Sequence, residues 1–128
     1  MEVVDHYLYT KEHEWVSIED SIATIGITDY AQEALGDITF VELPGVGDEV
    51  EQFEEFASIE SVKAANDIFA PISGKIIEVN TRLESDPGLI NKSAFEKGWI
   101  AKVQMSDKEE ASNLMTAEEY QKFLESIG

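Results

Sequence analysis

The sequence predicts a mostly β protein that closes with helices, and three observations carry that reading. Short runs rich in Ile and Val are separated by acidic or Gly/Pro turns, strong helix-start patterns fall only near position 29 and after position 105, and a single basic residue interrupts a long acidic stretch between two such runs. At 128 residues the chain has the length of one domain, enough to bury roughly two-thirds of its unfolded surface in a core.

Trp15 to Ile27 carries Val16, Ile18, Ile22, Ala23, Ile25 and Ile27 around the turn Glu19-Asp20-Ser21, which predicts a hairpin. Asp29 to Leu35 reads as two turns of helix, capped by Thr28 or Asp29 and stopped by Gly36. Ile38 to Leu43 is strand-like, and Pro44-Gly45-Val46-Gly47 breaks it before Asp48-Glu49-Val50. That Gly-x-Gly is no phosphate loop, because the third glycine and the following helix are missing. Phe56-Ala57-Ser58-Ile59 and Ile68-Phe69-Ala70 are two β segments flanking a tight polar tip. Gly74 to Asn80 and Gly98 to Met105 supply two later strands around a looped stretch from Glu84 to Lys97. Ser106-x-x-Glu109 and Thr116-x-x-Glu119 are capping-box patterns, in which a hydroxyl and a carboxylate satisfy amides at a helix start. After the second, Tyr120, Phe123, Leu124 and Ile127 recur at i, i+3, i+4 and i+7, an apolar stripe suited to docking on the sheet. Trp15 and Trp99 are expected to pack on the sheet as well.

Nine Lys and Arg against 27 Asp and Glu leave a net charge of −18, a field that repels nucleic-acid phosphates and anionic lipid surfaces. No nucleic-acid or membrane partner is expected. With 43% apolar residues, six Phe, four Tyr and two Trp, the chain is too rich in core formers for a disordered acidic tail. Zero cysteines exclude disulfides, thiolate metal sites and a thiol nucleophile, so any redox chemistry comes from something attached. His6 and His13 are too few for a metal site and no calcium-loop spacing of acids occurs, so no metal is expected. No apolar run approaches a membrane span, and Met1 to Thr10 holds acids and a histidine where a signal peptide has a basic start; a soluble intracellular chain is the expectation. The sequon Asn91-Lys92-Ser93 has no consequence in that setting.

The placement of charge is more informative than its total. From Glu12 to Gly74 the only positive residue is Lys63, against 15 Asp and Glu. An isolated lysine ordinarily just neutralises neighbouring acids. Here it stands in Glu60-Ser61-Val62-Lys63-Ala64-Ala65-Asn66-Asp67, at the apex of a hairpin, where an approaching enzyme can engage the amine without disturbing the core. That geometry suits an arm. A nucleophilic or Schiff-base lysine needs apolar surroundings that depress its pKa, and the acids here oppose that, so lysine catalysis is the weaker reading.

Glu60-Ser61-Val62-Lys63-Ala64-Ala65, with Leu35-Gly36-Asp37-Ile38 and Val41-Glu42-Leu43-Pro44 upstream, resembles the H proteins of the glycine cleavage system. The resemblance takes in His13-Glu14-Trp15, Ala23 to Thr28, Pro71 to Gly74, Glu78-Val79-Asn80, Pro87-Gly88-Leu89-Ile90-Asn91 and Gly98-Trp99, and so spans nearly the whole chain. It implies a flattened barrel-like sandwich of the lipoyl/biotinyl carrier (barrel-sandwich hybrid) type. Residues 1–128 would then form a single lipoyl-carrier domain, with a short helix near 29–35 and a helical extension at about 106–127.

The resemblance further implies covalent lipoate on Lys63, presented by a recognition turn of Glu60, Ser61, Val62 and Ala64. Such a chain is a non-catalytic carrier. It takes the aminomethyl group of glycine from a pyridoxal-phosphate glycine decarboxylase to an aminomethyltransferase, then offers the dithiol to dihydrolipoyl dehydrogenase. A lipoate ligase or lipoyl/octanoyl transferase would load it; the chain would be a monomer, cytoplasmic in a bacterium or in the mitochondrial matrix after removal of a transit peptide. The loaded arm would fold back near Glu12, Glu14 and Asp67, whose carboxylates suit a protonated amine. Acylating Lys63 would take the net charge from −18 to −19.

The chain departs from the family's usual glycine at Phe53 and Ala57, which predicts either a turn built differently or a ring covering a seam. Ala34 stands where some members have histidine, so no pocket role passes to it. A biotin carrier would place its lysine between methionines rather than Val62 and Ala64. A lipoyl domain of a 2-oxo acid dehydrogenase would have Asp before the lysine and no Leu35-Gly36-Asp37 region. Relay of octanoyl or lipoyl groups to other carriers, and an acidic adaptor with Lys63 unmodified, remain open alternatives.

Overall fold

The structure, a computed structural model, describes residues 2–127. Its strands are β1 (Leu8–Tyr9), β2 (Glu14–Glu19), β3 (Ile22–Ile27), β4 (Ile38–Glu42), β5 (Glu49–Val50), β6 (Glu55–Ser61), β7 (Ala65–Phe69), β8 (Gly74–Val79) and β9 (Ala101–Met105). Its helices are α1 (Asp29–Leu35), α2 (Arg82–Ser85), α3 (Leu89–Lys92) and α4 (Ala117–Ile127), with a 3-10 helix over Lys108–Asn113. The strands form two antiparallel sheets, ordered β1-β2-β3-β9-β8-β5 and β4-β6-β7. The expectation of a mostly β sandwich with a C-terminal helix holds.

Both sheets turn an aliphatic face to one core. Ile25, Ile76 and Val103 from the larger sheet meet Val41, Ile59 and Ile68 from the smaller, all buried. Along β9 the period of two is plain: Ala101, Val103 and Met105 point inward while Lys102 and Gln104 point out. The hairpin read from Trp15 to Ile27 is β2–β3, in register from Glu14↔Ile27 to Glu19↔Ile22. Asp20 takes φ 56 in its turn, a left-handed conformation that Asp tolerates better than most residues. Trp15 lies opposite Gly26, where an added Cβ would come 2.6 Å from the indole, so the ring needs the glycine's bare backbone.

A second, aromatic cluster sits beside this core. Tyr9, Trp15, Phe95 and Tyr120 are buried in it, and Tyr9 stacks on Tyr120 at 4.4 Å with planes 2° apart. The Trp15 indole donates to the Ala94 carbonyl at 2.9 Å. Tyr120 anchors α4: its hydroxyl meets His13 Nδ1 and Thr28 Oγ1, each at 2.8 Å. The capping box at Thr116 forms in full, with Glu119 Oε1 accepting from the Thr116 amide and Thr116 Oγ1 from the Glu119 amide. The apolar stripe docks through Tyr120, Phe123 and Leu124, but Ile127 at its end stays 45% exposed.

Three expectations are corrected. The Ser106 pattern does not cap an α-helix: Asp107 accepts from the Glu109 amide and starts the 3-10 helix instead. The stretch read as a loop from Glu84 to Lys97 contains α3 and the end of α2, each only four residues long. Last, β9 begins at Ala101, because Gly98 to Ile100 bond to the preceding loop and to Ile25.

Candidate functional site

The hairpin of β6 and β7 pairs down to Glu60↔Ala65 and leaves Val62, Lys63 and Ala64 as its tip. Ser61 builds that tip. Its amide donates to the Ala64 carbonyl at 2.8 Å, and its hydroxyl oxygen accepts from the amides of Lys63 (3.2 Å) and Ala64 (3.1 Å). A side chain closing its own turn in this way fixes the backbone while leaving the next side chain free. Lys63, Val62, Ala64 and Glu60 are exposed, as the apex reading requires.

The tip is also held from below. Val62 donates to the Asp37 carbonyl at 3.0 Å, which ties the hairpin to the loop between α1 and β4. Gly36 in that loop has φ 77, and a Cβ built on it would come within 3.4 Å of Lys63 Cε, so the lysine stem lies across bare backbone. Asn91 of α3 locks the loop in turn: its carboxamide oxygen accepts from the Ile38 amide at 2.9 Å, and its nitrogen donates to the Gly36 carbonyl at 2.9 Å and Gln32 Oε1 at 3.0 Å. Residue-by-residue reading gave Asn91 only as an idle sequon. The available signal was its place in the Pro87 to Asn91 motif.

Glu12 and Glu14 line one cavity of about 430 Å³ together with Phe53, Phe69, Lys11 and Met115. Glu14 is 2% exposed. Its carboxylate accepts from the Thr10 hydroxyl and, at 3.2 Å, from the Phe69 amide, so it bridges the start of β2 to the end of β7. Burial pushes its pKa up to about 7, with the Thr10 and Phe69 hydrogen bonds pulling the other way.

Asp67 is not in that cavity. It lies in a separate groove with Phe40, Glu42 and Glu60, and its charge is the first cause holding the Glu55 carboxyl above the usual carboxylate range. The three acids expected together are therefore divided, two in the cavity and one on the sheet surface. Asp67 and Phe69 are two residues apart on β7, hence on one face, so Asp67 stands between the tip and the cavity mouth. The cavity also has a basic residue on its rim, Lys11, one position outside the stretch whose only cation is Lys63.

Phe53 keeps the backbone a glycine would adopt, with φ 68, so the turn is not built differently. Phe53 lines the cavity instead. Ala57 is buried in the core. Among the described residues no group of three or more His, Cys, Asp or Glu could hold a metal ion, and no helix is long and apolar enough to cross a membrane.

Residues 7–127 match the family described as Glycine cleavage H-protein. The glycine cleavage system H protein of Thermotoga maritima is 56% identical over 115 residues, 90% of this chain and 93% of its own. That of Staphylococcus epidermidis is 49% identical over 124 residues, 97% and 98% of the two chains. The crystal structure of a glycine cleavage system H protein from Mycobacterium marinum superposes with a TM-score of 0.86 at 38% identity, over 94% of this chain and 98% of that one.

Proposed function

Because the chain belongs to the glycine cleavage H-protein family and is the non-catalytic lipoyl carrier of the glycine cleavage system, we propose that Lys63 bears the lipoate and that the Glu12–Glu14 cavity receives the arm's cargo. Its partners are the other proteins of that system: the glycine decarboxylase, the aminomethyltransferase and the dihydrolipoyl dehydrogenase. Lipoate supplies the dithiol chemistry that a chain without cysteine lacks.

The observation that carries the assignment is the tip itself: one exposed lysine on a backbone fixed by Ser61 and by the Val62–Asp37 hydrogen bond. A rigid turn lets a loading enzyme, a lipoate ligase or a lipoyl/octanoyl transferase, recognise Glu60, Ser61, Val62 and Ala64 while it acylates the amine. The same rigidity keeps the tethered cargo at high effective concentration for each partner.

Reach supports the cavity. From Ala65 to Phe69 the strand rises about 13 Å. A lipoyl-lysine of roughly 12 bonds from Cα to sulfur spans about 15 Å at standard bond lengths. The arm thus extends from the tip along the β7 face, past Asp67, to the cavity that Phe69 lines. There Glu14, poised near neutrality, ionises against a cationic amine, and Glu12 adds a second carboxylate at the rim. Lys11 opposes the cation from the mouth, so the depth of the cavity rather than its rim is the favoured seat for the nitrogen. The bacterial relatives favour a cytoplasmic setting, and a net charge of −18 opposes self-association, in keeping with a monomer.

The test is intact mass of the chain co-expressed with a lipoate ligase and lipoate. A single lipoyl increment is expected on the Lys63 peptide and none on Lys63→Arg. An increment that persists in Lys63→Arg, or a biotin increment in its place, overturns the assignment.

A further inference from the structure

We propose that Phe53 is the outer wall of the Glu14 cavity, its ring held at positive φ to shelter a small alkylammonium ion from water. The inference rests on the reading of that cavity as the cargo site and adds to it the residue that closes it.

Three described non-glycine residues have positive φ: His13 at 70°, Asp20 at 56° and Phe53 at 68°. Two are accounted for by the fold. Asp20 lies in the β2–β3 turn. His13 stacks on Tyr30 at 4.4 Å and bonds the Tyr120 hydroxyl. Phe53 has no such account. Its backbone is fixed where it donates to the Ala70 carbonyl at 2.6 Å, and a glycine or asparagine would take that conformation with less strain. Nor does burial explain the ring, which is 52% exposed. A strained backbone carrying a large, half-wet aromatic side chain points to a contact the isolated chain lacks.

What the ring touches gives the ligand class. Phe53 shares its cavity with Phe69, Glu12 and Glu14. The Glu14 oxygens each accept one hydrogen bond, from Thr10 and from Phe69, and an ionised carboxylate has lone pairs left for a further donor. Aromatic faces attract a cation, carboxylates neutralise it, and both reject an anion. The described residues include one cation over a ring, Lys102 over Trp99, so no lysine of the chain already occupies the Phe53 face.

The test uses the full chain with Lys63 unmodified and n-butylammonium chloride as the probe, with n-butanol as its neutral counterpart, followed by NMR at the amides of Glu14, Phe69 and Met115. Butylammonium is expected to shift these resonances, and Phe53→Gly and Phe53→Asn, both at ease with positive φ, to weaken its binding about three- to tenfold. Butanol binding should change little, and the melting temperature of at least one variant should equal or exceed that of the parent. Parental affinity in both variants overturns the role of Phe53, and so does a lowered melting temperature in both, which would make the ring a packing residue. Glu14→Gln in the same titration separates the two readings. If it weakens binding while the Phe53 variants do not, the cavity stands and only the wall falls. If butylammonium moves no cavity resonance in the parent chain, both fall.

Discussion

Glu14 has two carboxylate hydrogen bonds and almost no contact with water, and the second fact outweighs the first. Its folded pKa of about 7 stands above the ordinary 4.5, so between those values the folded chain keeps a proton that the unfolded chain has released. Stability therefore falls as pH rises through that interval, by an amount on the order of 3 kcal/mol for this group. Urea unfolding of the parent and of Glu14→Gln should show it. The variant is expected to be the more stable of the two at pH 8 and to lose that advantage near pH 4.5; parallel pH profiles would rule the effect out. Charge placement singled out Lys63, one cation among 15 acids, but only its setting between Glu60 and Asp67 made it a candidate for an arm. The burial of Glu14 was not legible, because Glu12 lies before β2 and His13 between them turns at φ 70, a kink that no periodic pattern announces. Lys11 escaped notice for a similar reason: a window drawn along the chain says nothing of what folds back onto a rim.

Between elements, Asn91 ties α3 to both ends of the Gly36–Ile38 loop, and the Val62–Asp37 hydrogen bond passes that order to the tip. Asn91→Ala strands the Ile38 amide and the Gly36 carbonyl, and should cost about 1–3 kcal/mol. It should also slow acylation of Lys63 by a lipoate ligase, though the recognition turn itself is untouched. Denaturation and mass spectrometry measure the two effects, and a destabilised variant with unchanged acylation would uncouple the loop from the tip. The elements most legible in the sequence were those with redundant signals. β2–β3 had alternation and a turn, α1 a cap and a stop, and α4 a capping box and a stripe. α2 and α3 had neither, since four residues complete barely one turn and show no periodicity. Ser106 looked like a cap, but Asp107, one position on, offered a carboxylate that took the Glu109 amide first.

For the whole molecule the governing number is −18, barely relieved within the chain: the ion pairs Lys102–Glu78 at 3.8 Å and Lys122–Glu118 at 3.6 Å are exposed and contribute little. Encounter with a partner is then steered by charge over distances that salt screens. Raising ionic strength from about 50 to about 200 mM should raise the aminomethyltransferase's KM for the loaded chain several-fold with kcat little changed, because steering acts on association and not on chemistry. A salt-independent KM would count against it. Charge total and sandwich class were both legible; the division of Glu12 and Glu14 from Asp67 was not, because it depends on how two sheets close on each other rather than on any local pattern. β7 ends the order of the smaller sheet, and Ala65, Asn66 and Asp67 on it are exposed. A border strand of this kind is a template on which a stray chain can add itself, and the usual safeguard is charge. The acids along this strand and its neighbour oppose such pairing, so the path proposed for the arm is also a border from which copies of the chain repel one another.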